Sequence, residues 1–252
     1  MDKLFAGKVA LVTGGRSGIG KATAIAFASH GANVVIADWI EDEHRHTLKA
    51  VQSMGVEALF IKCNVSEKDD VAAMIDKTIT HFGRLDFAFN NAGIEGQMGA
   101  VHECTEANWD KVMDINLKGV WLCMKYELLH MRSHERGVIV NCSSVAGLKG
   151  FVHLPAYVAS KHGVIGLTKT AALENAVLGI RINAVCPGVI RTPMIERVTE
   201  NDLELEEQYR KMEPIGRMGL PEEVASAVVW LCSDEASFIT GDAIPVDGGI
   251  TA

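Results

Sequence analysis

The 252-residue chain has no apolar run of the ~18 residues that a membrane-spanning helix requires. Its opening residues, Met1-Asp2-Lys3-Leu4-Phe5-Ala6-Gly7-Lys8, lack the apolar core of a secretory leader. These absences predict a cytoplasmic protein that engages no membrane. Proline is scarce, at 6 residues, and no low-complexity tract or solenoid-period repeat interrupts the chain, so nothing marks a linker or an array. The cysteines Cys63, Cys104, Cys123, Cys142, Cys186 and Cys232 are scattered, with no C-x-x-C pair, which argues against a disulfide framework or a structural zinc. His130 and His134 stand four apart as metal ligands can, but no third ligand is near them in the sequence, and no metal is expected. Positive charge is also short. With 24 Lys and Arg against 32 Asp and Glu the formal charge is -8, which weighs against an extended nucleic-acid surface. A small anion held by backbone amides stays open.

What the chain does have is length enough for one α/β domain over residues 1–252, and a regular alternation of patterns. Short β-branched runs at Val9–Thr13, Asn33–Asp38, Val56–Lys62, Asp86–Asn90, Val138–Cys142, Ile180–Cys186 and Ala243–Val246 read as strands. Between them, helical periodicity predicts helices over Ile19–Ser29, Glu41–Met54, Glu67–Phe82, Asn108–Met131, Leu154–Val177 and Glu222–Cys232. The charged cluster Glu41-Asp42-Glu43-His44-Arg45-His46 reads as the solvated start of the second helix. Apolar strands alternating with helices imply a doubly wound parallel sheet with helices on both faces, and in such sheets ligands bind beyond the carboxyl ends of the strands.

Just after the first strand, Thr13-Gly14-Gly15-Arg16-Ser17-Gly18-Ile19-Gly20 opens into a helix. Glycines allow a tight turn and close backbone approach, and the helix N-terminus offers amides to a pyrophosphate. Gly15 to Lys21 also fits the start of a triphosphatase P-loop, but the next position is Ala22, which has no hydroxyl to hold magnesium. Asp38, closing the second strand, separates the two readings. A carboxylate there accepts bonds from the adenosine ribose hydroxyls and repels a 2'-phosphate, which favours NAD.

Tyr157 and Lys161 are four residues apart in a helical stretch and share one face. An ammonium near a phenol favours the phenolate and brings a group of ordinary pKa about 10 towards the range of acid/base catalysis. Taken alone the pair carries little weight, since a half-buried aromatic beside a solvated charge has the same spacing.

The combination decides. Thr-Gly-x-x-x-Gly-x-Gly from Thr13, then Asn90-Asn91-Ala92-Gly93, then Ser144 thirteen residues before Tyr157-x-x-x-Lys161, resembles the short-chain dehydrogenase/reductase family. The similarity continues through Pro187-Gly188-Val189-Ile190-Arg191-Thr192, Gly216 to Val224, Thr240-Gly241 and Val246-Asp247-Gly248-Gly249. The resemblance implies a Rossmann-type fold and an NAD-dependent oxidoreductase acting on a secondary alcohol or ketone. It assigns Tyr157 as proton carrier, Lys161 to lower its pKa and bind the nicotinamide ribose, Ser144 to hold the substrate oxygen, and Asn116 to anchor a water beside Lys161. For the cofactor it implies Gly14, Arg16, Ser17, Gly18 and Ile19 at the phosphates and ribose. Asn91, Ala92 and Gly93 fall against the adenosine ribose, Asn64 and Val65 at the adenine, and Pro187, Gly188, Ile190 and Thr192 at the nicotinamide. Asn64 stands where the family often has aspartate.

The loop Ile94–Gly99, the stretch Gly147–Pro155 and the region 193–215 are expected to meet the substrate, with Glu95, Phe151, His153 and Met194 as candidate contacts and 193–215 as a lid. The charged segment Thr199–Arg210 reads as helical. Their apolar content suits a cyclic, aromatic or medium-chain alcohol. The family likeness also implies a homotetramer built on the two long helices and the carboxyl end. Two rival functions remain: an NADPH-dependent 3-oxoacyl thioester reductase, and a catalytically silent scaffold of the same fold.

Overall fold

The computed structural model describes residues 3–41, 46–199 and 203–252. Its centre is a parallel sheet formed by β1 (Val9–Thr13), β2 (Asn33–Asp38), β3 (Ala58–Lys62), β4 (Phe87–Asn90), β5 (Gly137–Cys142), β6 (Ile180–Pro187) and β7 (Ala243–Val246), in the order β3-β2-β1-β4-β5-β6-β7. The chain moves outwards from β1 to β3, then returns to place β4 on the other side of β1. That reversal opens a crevice above the carboxyl ends of β1 and β4. The expected doubly wound, Rossmann-type arrangement is therefore present.

Alternation along each strand makes two apolar layers. Ala10, Val12, Val34, Ile36, Phe87 and Phe89 pack on one side with Phe27 of α1 (Gly18–Ser29) and Val224 and Val228 of α9 (Pro221–Cys232). Val9, Leu11, Val35, Ala88 and Ile139 pack on the other with residues of α3 (Lys68–Phe82), α5 (Gly119–Ser133) and α6 (Pro155–Asn175). Because both faces are covered, the strands carry near-continuous apolar sequence.

Most predicted elements fall within a residue or two of the observed ones. The second helix is shorter than expected: α2 spans His46–Gln52, and residues 42–45, most of the charged cluster, lie outside the described residues. The predicted Asn108–Met131 helix is three pieces, α4 (Glu106–Met113), a π-helical turn (Asp114–Lys118) and α5. Thr105 caps α4 by accepting a bond from the Asn108 amide. After β6 two further helices occur, α7 (Pro193–Thr199) and α8 (Leu203–Met212). Of the predicted helical segment 199–210, Thr199 ends α7 and residues 203–210 lie in α8, while residues 200–202 are outside the described residues. No helix among the described residues is long and apolar enough to cross a membrane.

Candidate active site

The turn after β1 is closed by its own glycines. Gly14 has φ 63°, in the left-handed region, and a Cβ there would lie 2.9 Å from Asn91 Nδ2. A Cβ on Gly20 would collide with the Gly14 carbonyl oxygen. Thr13, which opens the glycine motif but was given no role from the sequence, stitches this turn to the end of β4: its Oγ1 accepts the amides of Asn91 (3.0 Å) and Ala92 (3.1 Å). The Asn91 side chain donates to the Thr13 carbonyl at 3.0 Å. Only its burial in the strand end distinguishes Thr13 from an ordinary β-branched residue.

Ser17 precedes α1 in extended conformation and its side chain makes no capping bond, which leaves the first amides of that helix for an anion. Asp38 is almost buried. Its Oδ2 accepts the Arg16 amide and its Oδ1 the Ile40 amide, each at 3.2 Å. A carboxylate has about four acceptor sites, so capacity remains for ligand hydroxyls. Arg16 Nε is buried with no hydrogen-bond partner among the described residues. Across the crevice, a Cβ on Gly18 would stand 3.2 Å from Thr192 Cγ2, so the loops after β1 and β6 meet. A glycine cradle, unspent helix amides, a strand-end carboxylate and a partnerless guanidinium nitrogen fit a dinucleotide.

At the next strand ends stand the four catalytic candidates. Ser144 follows β5 and starts a short 3-10 turn, its Oγ accepting the Ala146 amide at 3.1 Å. Its neighbour Ser143 is buried and donates to the Lys161 carbonyl at 2.9 Å, a structural task that leaves Ser144 as the hydroxyl facing Tyr157. Pro155 begins α6, where its missing amide costs nothing, and Tyr157 and Lys161 follow on one face. The Ser144 side chain is near enough to the Tyr157 phenol to pull its pKa down. Lys161 Nζ donates to the Cys142 carbonyl at 2.8 Å and lies 5.6 Å from the Tyr157 ring centroid.

Burial pushes the Tyr157 phenol up, against the pull of the Ser144 hydroxyl, with the Cys142 and Glu95 charges adding to the rise. Burial pushes the Lys161 ammonium down. In the protein by itself burial governs the phenol, and Lys161 is not among the groups that move it.

Asn116 sits in the π-helical turn, fully buried. It accepts from the Ile94 amide at 2.8 Å, donates to the Ile94 carbonyl at 2.8 Å and reaches Ser160 Oγ at 3.3 Å. Ser160, also missed in the sequence, donates onward to the Tyr157 carbonyl at 2.7 Å. A Cβ on Gly93 would lie 3.2 Å from Asn116 Oδ1 and 3.6 Å from Lys161 Nζ, so the loop after β4 rests on both.

The remaining candidates separate. Asn64 is turned into its own loop, its Oδ1 accepting both the amide (3.2 Å) and the hydroxyl (2.9 Å) of Ser66; the amide oxygen expected at the adenine is already spent. Val65 is buried against the start of α5, where a Cβ on Gly119 would stand 2.9 Å from Val65 Cγ2. Glu95 is in electrostatic reach of the Tyr157 phenol, of Arg197 on α7 and of Tyr209 on α8. Burial raises its pKa and Arg197 opposes that. Met194 lies half-buried on α7, and Phe151 is half-buried with Lys149 Nζ 5.4 Å from its ring centroid. His153 is exposed, with φ 65° and its carbonyl accepting the Gly99 amide at 2.9 Å.

Known proteins match this chain along nearly its whole length. The family model described as enoyl-(acyl carrier protein) reductase matches residues 14–251. Cyclohexanol dehydrogenase of Acinetobacter sp. (strain SE19) is 44% identical over 252 residues, covering 100% of this chain and 98% of the relative. The crystal structure of levodione reductase superposes with a TM-score of 0.95 at 40% identity, over 97% of this chain and 98% of that one. NAD+-bound xylitol dehydrogenase gives 0.93 at 34% identity, over 97% and 99%. With the fold, the strand-end site and these similarities in agreement, the chain belongs to the short-chain dehydrogenase/reductase family, as an alcohol dehydrogenase or ketone reductase acting on CH–OH groups.

Proposed function

We propose that this enzyme, a cytoplasmic homotetramer, interconverts a secondary, preferably cyclic, alcohol and its ketone with NAD as cofactor and Tyr157 as general acid/base. The whole chain would act as one domain, with residues 193–215 as a substrate lid. The observation that carries the reading is the convergence of the Ser144 hydroxyl on the Tyr157 phenol, with Lys161 one helical turn on and 5.6 Å from its ring, next to a loop set closed by Asp38. Gly14, Ser17, Gly18 and Ile19 are offered to the pyrophosphate, with Arg16 beside them. Asp38 is assigned to the adenosine ribose, Ala92 and Gly93 to the floor beneath it, and Ile190 and Thr192 to the carboxamide.

A nicotinamide dinucleotide supplies the hydride carrier. The chain's own work is on the oxygen. In reduction, Ser144 Oγ holds the carbonyl oxygen and Tyr157, kept protonated by burial, gives it a proton as charge develops. In oxidation the phenolate takes the hydroxyl proton, and Lys161 stabilises that phenolate. Asn116 fixes the loop at Ile94 and, through Ser160, the backbone of Tyr157. Glu95, in reach of the phenol and of both lid helices, would meet the polar edge of a substrate whose remainder faces Phe151 and Met194.

The names of the relatives, one acting on cyclohexanol and another bound to NAD+, support both halves of this reading. A second reading, an NADPH-dependent 3-oxoacyl thioester reductase, has in its favour the acyl-carrier description of the matching family model. Initial rates with cyclohexanol and related secondary alcohols against NAD+ and NADP+, and with cyclohexanone and a 3-oxoacyl thioester against NADH and NADPH, decide between them. The expected outcome is NAD-linked turnover of a cyclic alcohol. NADPH-linked turnover of the thioester alone would overturn it and the role given to Asp38.

A further inference from the structure

The chain leaves the sheet after β6, forms α7 and α8, and returns through residues 213–219. The neck of this excursion is closed by the Gly219 amide donating to the Val189 carbonyl and the Arg191 amide donating to the Gly219 carbonyl, both at 2.9 Å. The Ile215 amide ties the same neck to the Gly248 carbonyl at 3.1 Å. Glu213 stands in the middle, directly after α8, with 3% of its surface exposed. Its Oε1 accepts the Val189 amide at 2.5 Å, and its Oε2 is buried with no hydrogen-bond partner among the described residues.

The backbone is shaped around this carboxylate. A Cβ on Gly188 would stand 2.5 Å from Oε1, and one on Gly248 3.0 Å from Oε2. Burial pushes the Glu213 carboxyl up in pKa; the Val189 bond pulls it down, Asp247 pushes up and Lys149 pulls down. A half-satisfied carboxyl in such a place is costly, and an apolar side chain of similar volume would fill the neck more favourably. The cost calls for a return in geometry. Val189 lies between Gly188 and Ile190, in the loop assigned above to the nicotinamide, while α8 ends at Met212, immediately before Glu213.

We propose that Glu213 is a positioning residue of the dehydrogenase reaction: by holding the Val189 amide it sets the 188–192 loop and the return point of α7 and α8 with one side chain. The nicotinamide loop and the substrate cover are thereby coupled. This rests on the assignment of that loop to the cofactor, so one readout is independent of turnover. In Glu213→Ala, amide hydrogen exchange of the ligand-free protein at Val189 and across 193–199 and 203–212 is expected to quicken about tenfold or more, as a lost buried bond implies. With NAD+ and a turned-over alcohol, kcat/KM falls roughly tenfold, chiefly through KM for the alcohol. Glu213→Gln keeps an oxygen acceptor for Val189 and restores both quantities to within about twofold. If Glu213→Ala does not fold, Glu213→Leu fills the volume and is measured in the same way. Wild-type exchange and wild-type KM in the apolar variant would overturn the proposal, as would a Gln variant impaired as severely as the apolar one. Should the wild type oxidise no alcohol at all, the functional reading fails, while the exchange comparison still decides whether Glu213 couples the two segments.

Discussion

At the scale of single residues the proposed reaction is a problem in placing one proton. Tyr157 is raised by burial and lowered by Ser144, and the balance lies on the raised side. A raised phenol stays protonated through neutral pH, the state that donates in ketone reduction. Alcohol oxidation needs the phenolate, so kcat/KM for oxidation is expected to climb with pH into the alkaline range while reduction falls there; coincident profiles in the two directions would remove Tyr157 from the proton path. Tyr157→Phe keeps the ring and loses the proton, and turnover should drop by roughly 10²–10⁴-fold with NAD+ binding, followed by tryptophan fluorescence, unchanged. The pair Tyr157/Lys161 was legible because helical spacing is local. That burial governs the phenol was not, because it depends on what α6 is packed against. Asn64 shows the same limit: its place in the sequence matched a family position, but the hydroxyl of Ser66, two residues on, takes its oxygen.

At the scale of elements, strands and most helices were readable because a two-sided parallel sheet writes itself as short apolar runs between amphipathic helices. The π-helical turn at Asp114–Lys118 was not readable, since the extra residue that widens it is justified only by Asn116 reaching the distant Ile94 backbone. α5 conceals a second departure. Glu127 lies fully buried on it, accepting from Asn90 Nδ2 at 3.0 Å, while Asn90 also donates to Asn141 Oδ1 at 3.0 Å and Asn141 to Thr168 Oγ1 at 2.9 Å. Glu127 Oε1 and Asn90 Oδ1 are left without partners among the described residues. Burial pushes the Glu127 carboxyl up from 4.5 to about 8, with the Asn90 bond opposing. For an acid raised on folding, the native state holds the proton more tightly than the unfolded chain. Its stabilising share is therefore full below the ordinary value and drains as pH rises towards about 8. Glu127→Gln, which carries an amide able to donate to Asn90 Oδ1 and never ionises, should raise the denaturation midpoint at pH 8 and flatten its decline between pH 5 and 8. Chemical denaturation of both proteins across that interval tests this, and a less stable variant at pH 8 would mean that the ionised carboxylate is the native form.

At the scale of the molecule, several large apolar side chains on the helices and near the carboxyl end are left uncovered. Phe238 is 104%, Val177 91% and Leu173 82% exposed. Leu173 lies near the end of α6 and Val177 in the turn that follows it, and the segment between Phe238 and β7 approaches the same helix, where a Cβ on Gly241 would stand 3.5 Å from the Ala172 Cβ. A second group, Trp109 on α4 with Trp121 and Leu129 on α5, is also exposed. Contiguous patches of large apolar side chains are unfavourable on an isolated chain and mark contact surfaces. Two separate self-complementary patches on one chain generate a tetramer with three mutually perpendicular two-fold axes, whereas one patch generates a dimer. Sedimentation at micromolar concentration should therefore give a tetramer for the wild type. Phe238→Asp combined with Val177→Asp, which places like charges in the first patch and leaves the second intact, should give a dimer that still binds NAD+. A wild-type monomer would refute both patches as interfaces. A double variant that remains tetrameric would refute the first patch alone and leave the assembly to α4, α5 and whatever else borders them.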